Sequence, residues 1–142
     1  MSFRIDFLQS EVPSEKQNGL IYGQIKIGGF SEKFSSSLDF WSVADYKNHW
    51  RKAIGRILAR NSKSALITSI DNPTSSNFYI WWPMYLLGEK VYVQNQLLFL
   101  DQLHEPFDLE NPFKYVPSRQ THNEDGEKIS EWVVDFSDLT AT

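Results

Sequence analysis

Apolar and charged residues alternate at Phe3-Arg4-Ile5-Asp6-Phe7, the two-residue period of a half-buried strand. Pro13 to Gly19 breaks that pattern. Leu20 to Ile27 resumes it, most clearly at Ile25-Lys26-Ile27, and Gly28-Gly29 ends it. Phe34 to Phe40 reads as a third strand carried through a serine run. From Ser42 onward the period changes. Val43, Tyr46, Trp50, Ala53, Ile54, Ile57 and Leu58 recur at three- and four-residue spacings and form one apolar stripe. The spacing predicts a helix over about residues 43–60, with Ser42 as its N-cap and Asp45 in its first turn. Lys47, Arg51, Lys52, Arg56 and Arg60 make the other face basic. Gly55, inside this helix, costs about 1 kcal/mol against alanine unless close packing requires it.

Ala65 to Ile70 predicts a further strand, closed by a turn at Asp71-Asn72-Pro73. Phe78 to Leu87 predicts another. Pro83 cannot donate to a ladder, which places that strand at an edge or a bulge at that point. Gly88-Glu89 turns the chain, and Lys90 to Leu100 returns, part strand and part helix. Pro106, Pro112 and Pro117 make residues 104–118 irregular or extended. Asn123 to Gly126 is a turn with an Asp-Gly signal, and Lys128 to Phe136 predicts a last strand. The fold class is therefore α+β: a largely antiparallel β-sheet with one main amphipathic helix packed on it, in a single domain spanning 1–142.

Composition narrows the function. Aromatic residues make up 15%, so flat, heavy side chains dominate the packing. The absence of cysteine excludes disulfides, thiolate metal sites and cysteine nucleophiles. The N-terminus lacks a basic segment followed by an apolar one, and Pro83, Gly88, Glu89 and Lys90 interrupt the longest apolar run. The expectation is a cytoplasmic protein with no membrane contact. The net charge of −4 is unevenly spread. Residues 101–142 hold ten acids against three bases, a balance of −7, and residues 1–100 carry +3. A one-sided acidic region favours a basic partner and speeds encounter with it.

Candidate chemistry is sparse. His104 lies three residues after Asp101 and precedes Glu105, which makes a small enzyme with a His/carboxylate site one alternative. Two such groups without a third partner are a weak signal for a metal or for catalysis. No Gly-x-Ser-x-Gly elbow or glycine-rich phosphate loop is present. The expectation is a protein that is not an enzyme, with no cofactor and no metal. Direct nucleic-acid binding is disfavoured, because Tyr46 and Trp50 sit on the apolar stripe of the basic helix and the chain is acidic. Trp81-Trp82 sends adjacent rings to opposite faces of a strand. One enters the core, and the other faces out or meets the helix, or else both are covered by other parts of the fold; an exposed Trp82 would be an interface anchor. An adaptor with an aromatic peptide-binding groove is a further alternative.

Three segments carry a resemblance: DYKNHWRKAIGRILARNSKSALITSI, WWPMYLLGEKVYVQNQLLFLDQL and PFDLENPFKYVPSRQTHNEDGEKISEW. Over about residues 40–132 the chain resembles bacterial immunity proteins of contact-dependent growth inhibition systems. The resemblance implies a small cytoplasmic antidote. Its partner would be the cognate toxin domain, the C-terminal region of a large exported effector, and such toxins are commonly nucleases. Trp50, Trp81, Trp82, Gln94, Phe99, Phe107, Arg119, Gly126 and Trp132 fall in the resembling motifs and are expected to hold the shared fold. A nuclease presents positive charge to phosphate, and an inhibitor can cover that charge with carboxylates. The candidate toxin-binding residues are accordingly Asp101, Glu105, Asp108, Glu110, His122, Glu124, Asp125 and Glu127, with Trp82 at their edge.

Overall fold

The computed structural model describes residues 2–8, 19–72 and 74–140, with only the backbone of Thr140. The expected break at Pro13 and the proline of the Asp71-Asn72-Pro73 turn lie outside these residues.

Two antiparallel sheets and two helices form an α+β fold. The first sheet has the order β1 (Phe3–Phe7), β2 (Leu20–Ile27), β3 (Phe30–Ser37). The chain then enters α1 (Val43–Leu58). The second sheet contains β4 (Lys63–Ser69), β5 (Phe78–Leu87), β6 (Lys90–Gln94), β7 (Gln96–Phe99) and β8 (Glu131–Asp135), and α2 (Phe136–Thr140) follows. Its order is β4-β5-β6-β8, with β7 also on β5.

The period-2 residues of β1 and β2 turn inward as their alternation requires: Phe3, Ile5, Phe7, Ile21, Ile25 and Ile27 are buried. β3 begins at Phe30, four residues earlier than the sequence pattern suggests, because the tight turn at Gly28-Gly29 pairs Ile27 directly with Phe30. Ser42 and Asp45 form a reciprocal capping box that starts α1. Phe7 meets Tyr46 and Trp50 of α1 at 6.0 and 4.8 Å, while Phe30 stacks on Trp132 of β8 at 4.0 Å. The main core thus lies between the first sheet, α1 and the near face of the second sheet.

α1 also seals one edge of the second sheet. The outward Ile67 carbonyl of β4 accepts from Trp50 Nε1 at 2.9 Å, and the Ile67 amide donates to His49 Nε2 at 2.8 Å. Ser64 Oγ donates to the Ala53 carbonyl at 2.8 Å. His49 and Trp50 thereby satisfy backbone groups that an unpaired edge strand would leave open, and Ser64 ties the helix to it. His49 is only 7% exposed. Burial, and then the nearby Lys52 ammonium, push its imidazole down to about 3.

Two expectations require correction. Pro83 lies in the central strand, not at an edge, and the register shift falls in β4 between Ile67 and Ser69. Proline's missing donor is accommodated across the sheet: Met84 pairs with Val93 and Trp81 with Gln96 in one continuous register, and the ladder lapses opposite Pro83. This gap is what separates β6 from β7. Trp82 is not an exposed anchor. Trp81 and Trp82 do point to opposite faces, but both are 1% exposed because both faces are covered. Trp82 packs near Trp132 at 5.8 Å on the near face. Trp81 shares the far face with Tyr79 and Tyr85, which the segment after β7 covers.

Candidate functional site

That covering segment is the first part of the acidic stretch. After a single 3-10 turn at Leu100–Gln102 the chain runs back along β5. The Phe107 ring meets Tyr79 edge-on at 5.1 Å and stacks on Tyr115 at 5.0 Å. A second 3-10 turn, Pro112–Tyr115, lays Phe113 parallel to His49 at 5.8 Å and beneath the Arg56 guanidinium at 4.6 Å. Tyr85 then donates its hydroxyl to the Pro117 carbonyl at 3.0 Å. From Tyr79 to Tyr85 this strap follows β5 for roughly 20 Å. Three prolines prevent it from becoming a helix or a ladder strand, and its aromatic residues hold it to the sheet.

The strap's carboxylates are largely occupied. Lys114 Nζ lies 2.9 Å from Glu105 and 3.4 Å from Asp108. Glu105, and after it Asp108, hold the Lys114 ammonium above its ordinary value. Desolvation pushes the Asp108 carboxyl up, but the Glu110 amide and Lys114 outweigh it and hold it below the usual range. Asp101 and Glu110 are exposed, and their carboxylates have no hydrogen bond or ion pair with a described residue.

A clamp ends the strap. Arg119 makes two bonds to Glu131, at 2.8 and 2.6 Å, and its guanidinium lies 4.3 Å from the Tyr92 ring centroid. Buried Gln94 donates to Glu131 at 2.8 Å and to the Gln120 carbonyl at 2.9 Å. Desolvation raises the Glu131 carboxyl, yet Arg119 and Gln94 hold it below its ordinary value. The clamp fixes both feet of the next feature, since Gln120 precedes it and Glu131 follows it.

Residues 121–129 form a small hairpin. The Ile129 amide donates to the Thr121 carbonyl at 2.9 Å, and the Asn123 amide to the Glu127 carbonyl at 2.8 Å. Asn123 Oδ1 accepts from the amides of Asp125 and Glu127 at 3.0 and 2.9 Å. Gly126 adopts φ +80, a conformation that suits glycine. The turn is thus built from backbone and Asn123. Glu124, Asp125 and Glu127 are exposed, and their carboxylates have no hydrogen bond or ion pair with a described residue. His122 is exposed too, bridges to Lys128 through the backbone and holds Nδ1 2.9 Å from Thr121 Oγ1.

The geometry thus divides the nine candidate residues. Glu124, Asp125 and Glu127 form a rigidly presented anionic tip with His122 at its base. Asp101 is exposed in the turn before the strap and Glu110 on it, Glu105 and Asp108 are tied to Lys114, and Trp82 is in the core. His104 is exposed while its neighbour Glu105 engages Lys114, and no group of three or more His, Asp or Glu is placed to hold a metal among the described residues. The basic face of α1 and the Arg60 that follows the helix are partly neutralised, Lys47 by Asp6 at 3.7 Å and Arg60 by Glu89 at 2.9 Å. No helix of the described residues is long and apolar enough to cross a membrane.

A family model described as the CdiI N-terminal domain matches residues 36–142, a span that includes α1, the strap, the clamp and the hairpin. The chain belongs to the CdiI N-terminal domain family. It is 42% identical over 115 residues to the immunity protein CdiI of Enterobacter cloacae subsp. cloacae, covering 81% of this chain and 79% of that protein. It is also similar to a chain of the solved CdiA-CT/CdiI toxin and immunity complex from Enterobacter cloacae, with TM-score 0.84 and 38% identity over 98% of this chain and 94% of that one. Within this CdiI-family fold, Trp50, Trp81, Trp82, Gln94, Phe107, Arg119 and Trp132 serve the frame, as the resemblance implied. Phe99 departs from that role, being 41% exposed.

Three residues that shape the site escaped sequence reasoning. His49 seals β4, Lys114 neutralises the strap, and Asn123 organises the hairpin tip. Only Asn123 had a local signal, as an Asx residue opening a turn. The roles of His49 and Lys114 depend on residues distant in sequence or on opposite charges spaced irregularly.

Proposed function

We propose that this chain is a cytoplasmic immunity protein that binds and neutralises the toxin domain of a cognate CdiA effector. The observation that carries this reading is the match along 98% of the chain to a protein solved as part of a toxin and immunity complex. In this reading the partner is a basic nuclease domain. The carboxylates of Glu124, Asp125 and Glu127, joined by Asp101 and Glu110, cover its phosphate-binding or active-site surface.

The physical case for the tip is its unspent charge. Three carboxylates sit within four residues on a hydrogen-bonded turn, so the backbone beneath them loses little conformational entropy when they meet arginine or lysine side chains. Glu105 and Asp108 would first have to give up Lys114, so they contribute less. A standard-size complex buries roughly 1,600 Å² in total, so the tip steers and selects within a wider contact. The protein acts by contact and needs no cofactor or metal.

Co-expression with the cognate toxin domain tests the function. Cells carrying the native chain should survive toxin induction, and cells carrying the Glu124→Lys, Asp125→Lys, Glu127→Lys variant should lose protection. Death of cells with the native chain would overturn the function. Full protection by the folded triple variant, with unchanged affinity, would overturn the surface.

A further inference from the structure

The second sheet has an edge that nothing in the described chain covers. β7 pairs with β5 at Phe78 with Phe99, Tyr79 with Leu98 and Ile80 with Leu97. The Leu100 amide donates to the Asn77 carbonyl at 3.0 Å, which sets the alternation of the ladder. The N–H and C=O groups of Leu98 therefore face β5, and those of Leu97 and Phe99 face outward. The outward groups make no hydrogen bond with any described residue. The side chains of Leu97 and Phe99 are 46% and 41% exposed. Across the strand Phe78 is 45% exposed, with its ring 6.1 Å from that of Phe99. Open backbone groups and apolar side chains coincide along one short edge.

Apart from its shortness, β7 lacks the protective residues common at sheet edges. Neither lysine nor proline occurs from Asn95 to Leu103. The opposite edge, at β4, is closed by His49 and Trp50. The charges that flank β7 are both negative: Glu32, which accepts from Asn95 Nδ2 at 3.2 Å at one end, and exposed Asp101 just beyond the other. A second copy of this chain would bring the same acidic flanks to the contact, which disfavours self-pairing. A basic strand complements them.

We propose that the β7 edge receives an extended segment of the toxin domain, which adds a strand beside Leu97 and Phe99 through main-chain hydrogen bonds. The segment places apolar side chains at alternate positions over Phe78 and Phe99, with a lysine or arginine at an end to meet Asp101 or Glu32. The proposal rests on the toxin-binding reading above and gives it a second contact, chemically distinct from the acidic tip. Main-chain pairing supplies affinity with little demand on side-chain identity, and the flanking carboxylates select a basic partner.

Amide hydrogen exchange on the native chain, alone and saturated with the cognate toxin domain, tests it. The Leu97 and Phe99 amides should exchange rapidly in the free chain and slow at least about tenfold in the complex. A Leu97→Pro variant removes no hydrogen bond of the β5 ladder but deletes an outward donor and an exposed leucine side chain, so it should weaken toxin binding by about tenfold or more, with its melting temperature nearly unchanged. Should that variant fold poorly, the exchange measurement decides alone. A complex that forms while both amides remain fast would overturn this contact and leave the toxin-binding function standing. No complex at all would overturn both. Protection that grows with protein concentration in the absence of toxin would identify a second copy as the occupant and overturn the proposal.

Discussion

The strap at residues 103–119 and the hairpin at residues 121–129 are adjacent pieces of one acid-rich stretch, yet they spend their residues in opposite ways. The strap inserts Phe107, Phe113 and Tyr115 against the second sheet and ties Glu105 and Asp108 to Lys114. The hairpin inserts no aromatic side chain, satisfies its backbone through Asn123 and leaves three carboxylates unpaired among the described residues. Acid content alone does not distinguish them. What does is whether a cation and an apolar anchor are already within reach. A carboxylate already bonded to its own chain must be released before it can serve a partner, whereas the hairpin's carboxylates are ready to act.

The largest effect expected on the strap side comes from His49, on which Phe113 stacks. Its folded value of about 3 lies below the unfolded one of 6.5, so the unfolded state takes up a proton first as the pH falls. Stability is therefore full above about pH 6.5 and declines at about 1.4 kcal/mol per pH unit below it. Between about pH 7.5 and 5, where the carboxylates stay mostly charged, about 2 kcal/mol should be lost. Denaturation midpoints across that range check this, and a His49→Gln variant should show a much flatter slope. Replacing Phe107 with alanine should cost about 2 kcal/mol in denaturant titrations and leave the hairpin's charge intact. If it instead abolished toxin binding without loss of stability, the division of roles would be wrong.

Arg119→Ala opens the clamp between the two regions. Leaving Glu131 without its two bonds should cost about 1–2 kcal/mol in stability. It should also raise amide exchange throughout residues 121–129, which would show that the clamp holds the hairpin in place. Gly55→Ala is the smallest change and a control whose added methyl group touches neither region. A Cβ there meets nothing within 4 Å, so close packing does not explain the glycine. The variant should gain about 0.5–1 kcal/mol in denaturant titrations and bind toxin unchanged.

Much of the frame was legible before the structure. The N-cap at Ser42, the helix stripe, and strands β1, β2 and β5 follow from local period and turn chemistry. The failures share one cause, tertiary context. Pro83 suggested an edge because an isolated strand cannot show that its partner interrupts the ladder opposite the proline. Trp82 suggested an exposed ring because alternation cannot reveal that the strap covers the far face and the first sheet and α1 the near one. α2 goes undetected beyond Phe136, which the pattern assigns to the last strand, since a helix of five residues leaves no period to detect. For the candidate site, the acidic stretch was visible as composition, but its division by Lys114 was not, because ion pairs depend on the folded path of the strap.

Association kinetics of the cognate toxin domain with two matched variants test the central claim most directly. One variant neutralises the hairpin, as Glu124→Gln, Asp125→Asn and Glu127→Gln, and the other neutralises the strap, as Glu105→Gln and Asp108→Asn. At low ionic strength the hairpin variant should associate at least about tenfold more slowly than the native chain, with a shallower dependence on salt. The strap variant should associate at nearly the native rate. Equal slowing by both variants, or slowing by the strap variant alone, would contradict the assignment of the partner-facing charge to the hairpin.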